Sequence, residues 1–279
     1  MSVRRSLLGL VAAAIMVSSI GANKASAAPP LPGAMAAVGD SITRAYNTGP
    51  SSFTDFPANS WSTGTSSTVN SHYTRLLAQG APITGKNYND AVSGAKMANL
   101  NGQMATANGQ GVGYVTVLIG GNDVCTSSES TMTSVASFAV QFRTAMTTLT
   151  TGSPNARVYV VSIPDVYNLW SVLKGNGSAR FAWALFGICQ SMLKSPLSTA
   201  QVDVDRRARV RQRNIDLNTQ LQGICEQEFT ATCRYDQNAV FNTKFAASDV
   251  STRDYFHPSV AGQTKLAAAS WAAGYWGGP

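Results

Sequence analysis

The sequence predicts an α/β fold of three layers, a parallel five-stranded sheet covered by helices on both faces. Three observations predict it. Short apolar runs alternate with longer helical patterns along the whole chain, the order that builds strand–helix–strand units. About 250 residues beyond the N-terminal segment suffice for one α/β domain with a substantial core, and no repeat, linker or composition break suggests a second. The residues with chemical potential fall just after the apolar runs, where an open α/β sheet places its chemistry.

Taken in order, the first strand is 34–39, the small apolar run ending in Gly39. A helix over 71–80 and a strand over 87–92 follow, then a helix over 97–107 and a strand over 114–120. Next come a helix over 130–150, a strand over 157–163, a helix over 203–223 and a short fifth strand near 232–236. The last helix, 259–273, follows Pro258, and proline near a helix start is well placed because the missing N–H has no intrahelical partner there. The arrangement is flavodoxin-like, with one rim carrying the strand-end loops. Two segments lie outside a minimal sheet and are expected to face substrate. Residues 43–69 are rich in Thr, Ser, Asn, Gly and Pro and carry Phe53, Phe56 and Trp61; loops of this length in compact domains are usually functional. Residues 166–196 carry Trp170, Phe181, Trp183, Leu185, Phe186 and Ile188, suited to walling an acyl chain or to packing a helix onto the core.

Arg4 and Arg5 precede the apolar run Leu7 to Ile20, and Ala25-Ser26-Ala27 closes the segment. This is the pattern of a cleaved secretory signal peptide over residues 1–27, leaving 28–279 as a single secreted domain. The paired arginines leave the twin-arginine export route open beside the general one. No later stretch approaches 18 uninterrupted apolar residues. Loss of Arg4, Arg5 and Lys24 lowers the formal charge from +7 to +4, a mild excess that carries no mandate for nucleic acid. Four cysteines, none in Cys-x-x-Cys spacing, favour two disulfides in an exported chain. Of three possible pairings, Cys125 with Cys189 and Cys225 with Cys233 is preferred, and neither metal nor organic cofactor is expected.

After the first strand comes Gly39-Asp40-Ser41-Ile42, which puts a hydroxyl on a strand-end loop; Asp40 is expected to hydrogen-bond the turn that presents Ser41. Near the other end, Asp254-Tyr255-Phe256-His257 sets a carboxylate three residues before a histidine. A turn of that length can bring the Asp oxygen to Nδ1 and leave Nε2 free to take a proton from a serine. The alternative for His257 is helix capping. The other histidine, His72, opens a surface helix with no carboxylate at matching spacing and reads as structural. Gly120-Gly121-Asn122-Asp123 follows the third strand, where the Asn122 amide can donate to an oxyanion. In Ser93-Gly94-Ala95, the Gly94 N–H can approach a ligand without a side chain in the way. No Gly-x-Ser-x-Gly elbow occurs, which argues against the α/β-hydrolase fold.

These four blocks, in the order Ser41, Gly94, Asn122, Asp254 with His257, resemble those of the SGNH (GDSL-type) hydrolase superfamily over essentially the whole chain beyond the leader. Ser60-Trp61-Ser62-Thr63-Gly64 and Ile119-Gly120-Gly121-Asn122-Asp123-Val124-Cys125 are most similar to the phospholipase B-like branch, and Ile42 departs from the common leucine without loss of apolar character. The resemblance implies an SGNH hydrolase fold and ester hydrolysis through an acyl-enzyme on Ser41, with His257 as base, Asp254 orienting it, and Ser41 N–H, Gly94 N–H and the Asn122 amide binding the oxyanion. The expected substrate is a lipid or phospholipid ester, the alternatives being polysaccharide acetyl esters or a non-catalytic lipid- or carbohydrate-binding module. The cluster Arg206, Arg207, Arg209, Arg211 and Arg213 is read as a solvated face paired with Asp203, Asp205 and Asp216, or as a transient membrane-surface contact. Nucleic acid is disfavoured because no aromatics interleave the arginines, and a monomer is expected.

Overall fold

The computed structural model describes residues 28–277; the leader peptide expected over 1–27 lies outside them. Five strands, β1 (Met35–Gly39), β2 (Asn87–Asn89), β3 (Tyr114–Leu118), β4 (Arg157–Val160) and β5 (Cys233–Tyr235), form one sheet in the order β2-β1-β3-β4-β5. Every pairing is parallel, with Met35 opposite Tyr114 and Gly39 opposite Leu118 in the central pair. The chain leaves β1 toward one edge and β3 toward the other, so the loops after these two strands diverge over a crevice at the carboxyl end of the sheet, the switch point where such folds bind ligands.

Alternation along the strands divides the core in two. Ala36, Val38, Val115, Val117, Val158 and Val160 face one layer with Met104, Phe138, Phe142, Leu149, Leu217 and Leu221. Met35, Tyr114, Leu118 and Tyr159 face the other with Trp61, Leu76 and Leu266. The first layer is built by α2 (Leu100–Gly109), α4 (Val135–Gly152) and α8 (Gln201–Glu228), the second by α1 (His72–Ala78), the short α9 (Ala239–Asn242) and α10 (Val260–Ala273). Side-chain caps start several helices: Ser71, Ser134 and Ser259 each accept the N–H three residues on, satisfying a donor that the helix itself leaves orphaned.

Each expected strand and helix is present, with different ends. The strand expected over 114–120 stops at Leu118, because Gly120 at φ +119° turns the chain into the single turn α3 (Gly121–Val124). The last long helix before β5 runs further than expected, to Glu228. Residues 166–196 fold into α5 (Val166–Leu173), α6 (Gly177–Leu185) and α7 (Gln190–Leu193), started by Asp165 and Asn176 as caps of α5 and α6. Both disulfides take the preferred pairing: Cys125–Cys189 joins the end of α3 to the start of α7, and Cys225–Cys233 joins α8 to β5. No helix among the described residues is long and apolar enough to cross a membrane.

Three expectations are corrected. His72 opens α1 but is fully buried, not on a surface; its nitrogens meet Tyr114 Oη at 3.0 Å and Ser270 Oγ at 2.9 Å, and burial, with the Arg75 charge, pushes its pKa down to about 3. Trp61 does not face substrate: it is fully buried in the α1/α10 layer, and its Nε1–H donates to Thr43. The arginines of α8 find most of their partners away from their own helix. Arg206 does pair with Asp203, but Arg209 pairs with Glu129 and Arg211 with Asp165, whereas Asp205 and Asp216 accept from Gln201 and Gln212. Arg207 is buried over the Trp170 ring and Arg213 donates to Thr133 O. Arg206 also donates to Lys194 O, so that all five side chains clamp α8 to its neighbours.

Candidate active site

The strand β1 delivers the chain to Gly39 at φ +146°, where a Cβ would sit 2.1 Å from Leu118 O; only glycine fits. The Gln103 side chain grips this residue from α2, Oε1 accepting Gly39 N–H at 2.7 Å and Nε2 donating to Gly39 O at 2.9 Å. Asp40 Oδ1 then accepts Ile42 N–H at 2.9 Å, and Tyr46 N–H donates to Ser41 O at 3.0 Å. Ser41 is thus held on a tight turn, with its hydroxyl at the sheet's carboxyl end. Burial pushes the Asp40 carboxyl up to about 6, against the pull of the Ile42 N–H and the His257 charge.

The approach to α10 supplies the partner. Asp254 sits in a turn where its Oδ1 accepts the N–H groups of Phe256 at 2.9 Å and His257 at 3.1 Å, while Tyr255 adopts φ +55°. Its Oδ2 lies 2.6 Å from His257 Nδ1, and His257 Nε2 lies 2.8 Å from Ser41 Oγ. A carboxylate can only accept, so Nδ1 carries the proton and Nε2 presents a lone pair to the serine. Burial alone would raise the Asp254 carboxyl, yet the His257 hydrogen bond and charge, with the two backbone donors, hold it below the usual carboxylate range. Tyr46 packs on the His257 ring at 4.8 Å between centroids and Phe256 meets it edge-on at 5.1 Å.

Asn122 lies in α3 beside Ser41 in one cleft. Its Nδ2 donates to Ala95 O at 3.0 Å, which uses one of two amide hydrogens. Asp123 locks this corner, its Oδ2 accepting Met97 N–H at 2.9 Å and its Oδ1 accepting the Thr133 hydroxyl at 2.6 Å. Gly94 adopts φ +84° and is exposed, but it lines an adjoining depression with Val92, Ser93 and Ala95, not the cleft of Ser41. The two sites meet through the Ala95–Asn122 hydrogen bond.

Away from these polar groups the cleft is apolar, walled by Ile42, Ile163, Pro164, Val166, Leu169, Val172, Phe245, Val250 and Phe256. The segment 166–196 therefore does both things expected of it: Val166, Leu169 and Val172 of α5 wall the cleft, while Trp183 packs in the core and donates to Tyr255 O. Phe53 is exposed and meets Phe186 edge-on at 5.6 Å between centroids. Among the described residues no group of His, Cys, Asp or Glu is placed to hold a metal ion.

Three supporting residues escape sequence reasoning. Gln103 and Gln263 each fall on a buried helical stripe, with Leu100, Met104 and Ala107 in α2 and with Leu266, Ala267 and Ser270 in α10. A polar residue on such a stripe is a readable signal, since a buried amide needs partners. Gln263 uses its own to accept Trp61 N–H at 2.9 Å and donate to Ile42 O at 2.8 Å. Asn47, whose Nδ2 donates to Asp254 Oδ2 at 2.5 Å, stands in a loop with no such signal.

Residues 37–265 match the model of the GDSL-like Lipase/Acylhydrolase family. Among solved structures, the extracellular lipase of Streptomyces rimosus is similar in fold, at 17% sequence identity and a TM-score of 0.50, over 86% of this chain and 99% of that one. No curated protein sequence matches. The family match spans all four blocks, from just before Ser41 to beyond His257, over the sheet order and strand-end rim described above, and so the chain belongs to the GDSL-like lipase/acylhydrolase family of ester hydrolases.

Proposed function

We propose that the protein is a secreted serine esterase that hydrolyses the carboxylic esters of lipids, including phospholipids, through an acyl-enzyme on Ser41. The observation that carries this reading is the hydrogen-bonded chain Ser41–His257–Asp254 opening into an apolar cleft. Ser41 Oγ attacks the ester carbonyl as His257 Nε2 takes its proton, and the same proton passes to the departing alcohol oxygen. Water then attacks the acyl-enzyme, giving its proton to Nε2, and the acid leaves as Ser41 regains its hydrogen. Ser41 N–H and the second Asn122 amide hydrogen bind the oxyanion; Gly94, expected as a third donor, lines the separate depression beside Ala95 and is left out of this set.

The cleft wall favours a hydrocarbon chain over a sugar, because it offers few hydrogen-bond partners beyond the reacting centre. Exposed Phe53, Phe181, Leu185 and Phe186 on the flanking segments suit contact with a lipid surface. Two disulfides accord with an oxidising, extracellular location. The test is fatty-acid release from phosphatidylcholine vesicles by the oxidised protein, with Ser41→Ala as blank, followed by a chain-length profile on soluble esters. Release that vanishes in the variant is expected; activity confined to acetyl esters would move the assignment to polysaccharide deacetylation, and failure of Ser41 to react with an organophosphonate would sink the serine mechanism.

A further inference from the structure

Asn47 is separated from Asp254 by most of the chain, and the fold brings their side chains together. It lies in the long loop after β1, buried, at φ +65°. Its Oδ1 accepts Phe53 N–H at 2.5 Å. A backbone N–H can only donate, so this contact fixes which end of the amide is oxygen and turns Nδ2 toward Asp254. The main chain is held as well: Asn47 N–H donates to Thr54 O at 2.9 Å, and Asn47 O accepts the Ser251 hydroxyl at 3.4 Å.

The Asp254 carboxylate receives four hydrogen bonds. Phe256 N–H and His257 N–H reach Oδ1, and His257 Nδ1 and Asn47 Nδ2 share Oδ2. Three of these donors belong to Asp254's own turn and move with it. Asn47 is, among the described residues, the donor that ties the carboxylate to the rest of the fold, and through Oδ1 it ties the same point to the loop that carries exposed Phe53.

We propose that Asn47 is a positioning residue of the Ser41–His257–Asp254 chain: its amide holds Asp254 Oδ2 on His257 Nδ1 and moderates the pull of the carboxylate on the imidazole. The inference rests on the reading of Ser41 as nucleophile. An N–H shared with Oδ2 neutralises part of the charge there; without it, more negative charge faces Nδ1 and Nε2 becomes more basic. The titratable and charged groups around the pair are Asp40 and Tyr46 on the loop after β1, with Asp123 and Asp55 acting on them, and Arg253, whose guanidinium goes to the carbonyls of Pro50 and Ser51.

The experiment compares Asn47→Ala and Asn47→Asp with the native protein by kcat and KM on a soluble short-chain ester and by NMR titration of His257. His72, the only other histidine, is buried with its pKa pushed down to about 3, so the signals are separable. For Asn47→Ala the expected result is a kcat about 10- to 100-fold lower, as for loss of a hydrogen bond to a charged group, with KM within about twofold and the His257 titration moved upward. Asn47→Asp keeps the acceptor for Phe53 N–H but sets a second carboxyl against Asp254; the titration is expected to move further in the same direction. A titration unmoved in both variants overturns the proposal even if the rate falls, since a merely structural role lowers rate or yield without changing the imidazole. The titration needs no substrate, so absence of ester hydrolysis in the native protein would refute the functional reading alone.

Discussion

Asn122→Ala removes one side chain with two separable duties. The hydrogen bond to Ala95 O at 3.0 Å is worth roughly 0.5–1.5 kcal/mol of stability, a fall of about 1–6 °C in melting temperature for a domain of this size. That leaves the folded state intact at 25 °C when domains have about 5–15 kcal/mol to lose. The second amide hydrogen is assigned to the oxyanion, and loss of one such donor costs about 2.7–4 kcal/mol of barrier, a kcat roughly 100- to 1,000-fold lower. Because the oxyanion exists only in the transition state, KM should scarcely move. The assay is steady-state hydrolysis of a soluble short-chain ester, with thermal unfolding followed on the same preparation. Asn122→Asp offers an acceptor where a donor is needed and should be at least as slow. A kcat within about threefold of native for Asn122→Ala would refute the assignment, because the oxyanion would then be served without this residue; a change confined to KM would place Asn122 in ground-state binding instead.

Gln103→Leu keeps most of the side-chain volume in α2 but leaves Gly39 N–H buried without its acceptor, while Gly39 O retains the Val92 N–H at 3.1 Å. An orphaned buried donor costs about 1–3 kcal/mol, so calorimetry should show the melting temperature lowered by roughly 2–12 °C; a fall under about 1 °C would mean that Gly39 finds another partner. His72 makes stability depend on pH. Its folded-state pKa, pushed down to about 3, lies below the imidazole reference of about 6.5, so between those values the unfolded chain holds a proton that the folded one does not. Its contribution is therefore complete above about pH 6.5 and is lost as pH falls toward 3, by at most roughly 2 kcal/mol at pH 5. In His72→Gln the drop in melting temperature between pH 7.5 and 5 should be smaller than in the native protein, and parallel curves for the two proteins would remove His72 as the cause.

The parts of this molecule that were legible in its sequence are those whose constraints are local. Gly39-Asp40-Ser41 and Gly120-Gly121-Asn122 each combine a backbone that only glycine can adopt with a reactive or donating side chain one or two residues on, and Asp254 reaches His257 across three residues. The alternation of strands and helices was legible for the same reason, while strand ends were set by tertiary detail such as the turn at Gly120. Where the constraint is distant, local spacing misled. The carboxylates nearest to the α8 arginines in sequence are mostly not their partners, because Glu129 and Asp165 arrive from elements packed alongside. A loop has no period from which burial can be read, so Trp61 and Phe53, eight residues apart in one loop, looked alike; the first fills the core and the second stands at the rim.

Asn47 shows why the same limit bears on function. The sequence blocks hold the proposed nucleophile, base and orienting carboxylate, but a carboxylate in a turn is held only as well as its most distant tether. That tether comes from a segment with no regular structure beyond the single turn Pro57–Asn59, and its positive φ is one that asparagine tolerates better than most residues. In the proposed mechanism the loop after β1 therefore acts on the site from two sides: Gly39 to Ser41 set the attacking oxygen at its start, and Asn47 holds Asp254, at the far end of the Ser41–His257–Asp254 chain, a few residues later. A change in this loop that spared every motif residue would still reach the imidazole, through Asp254.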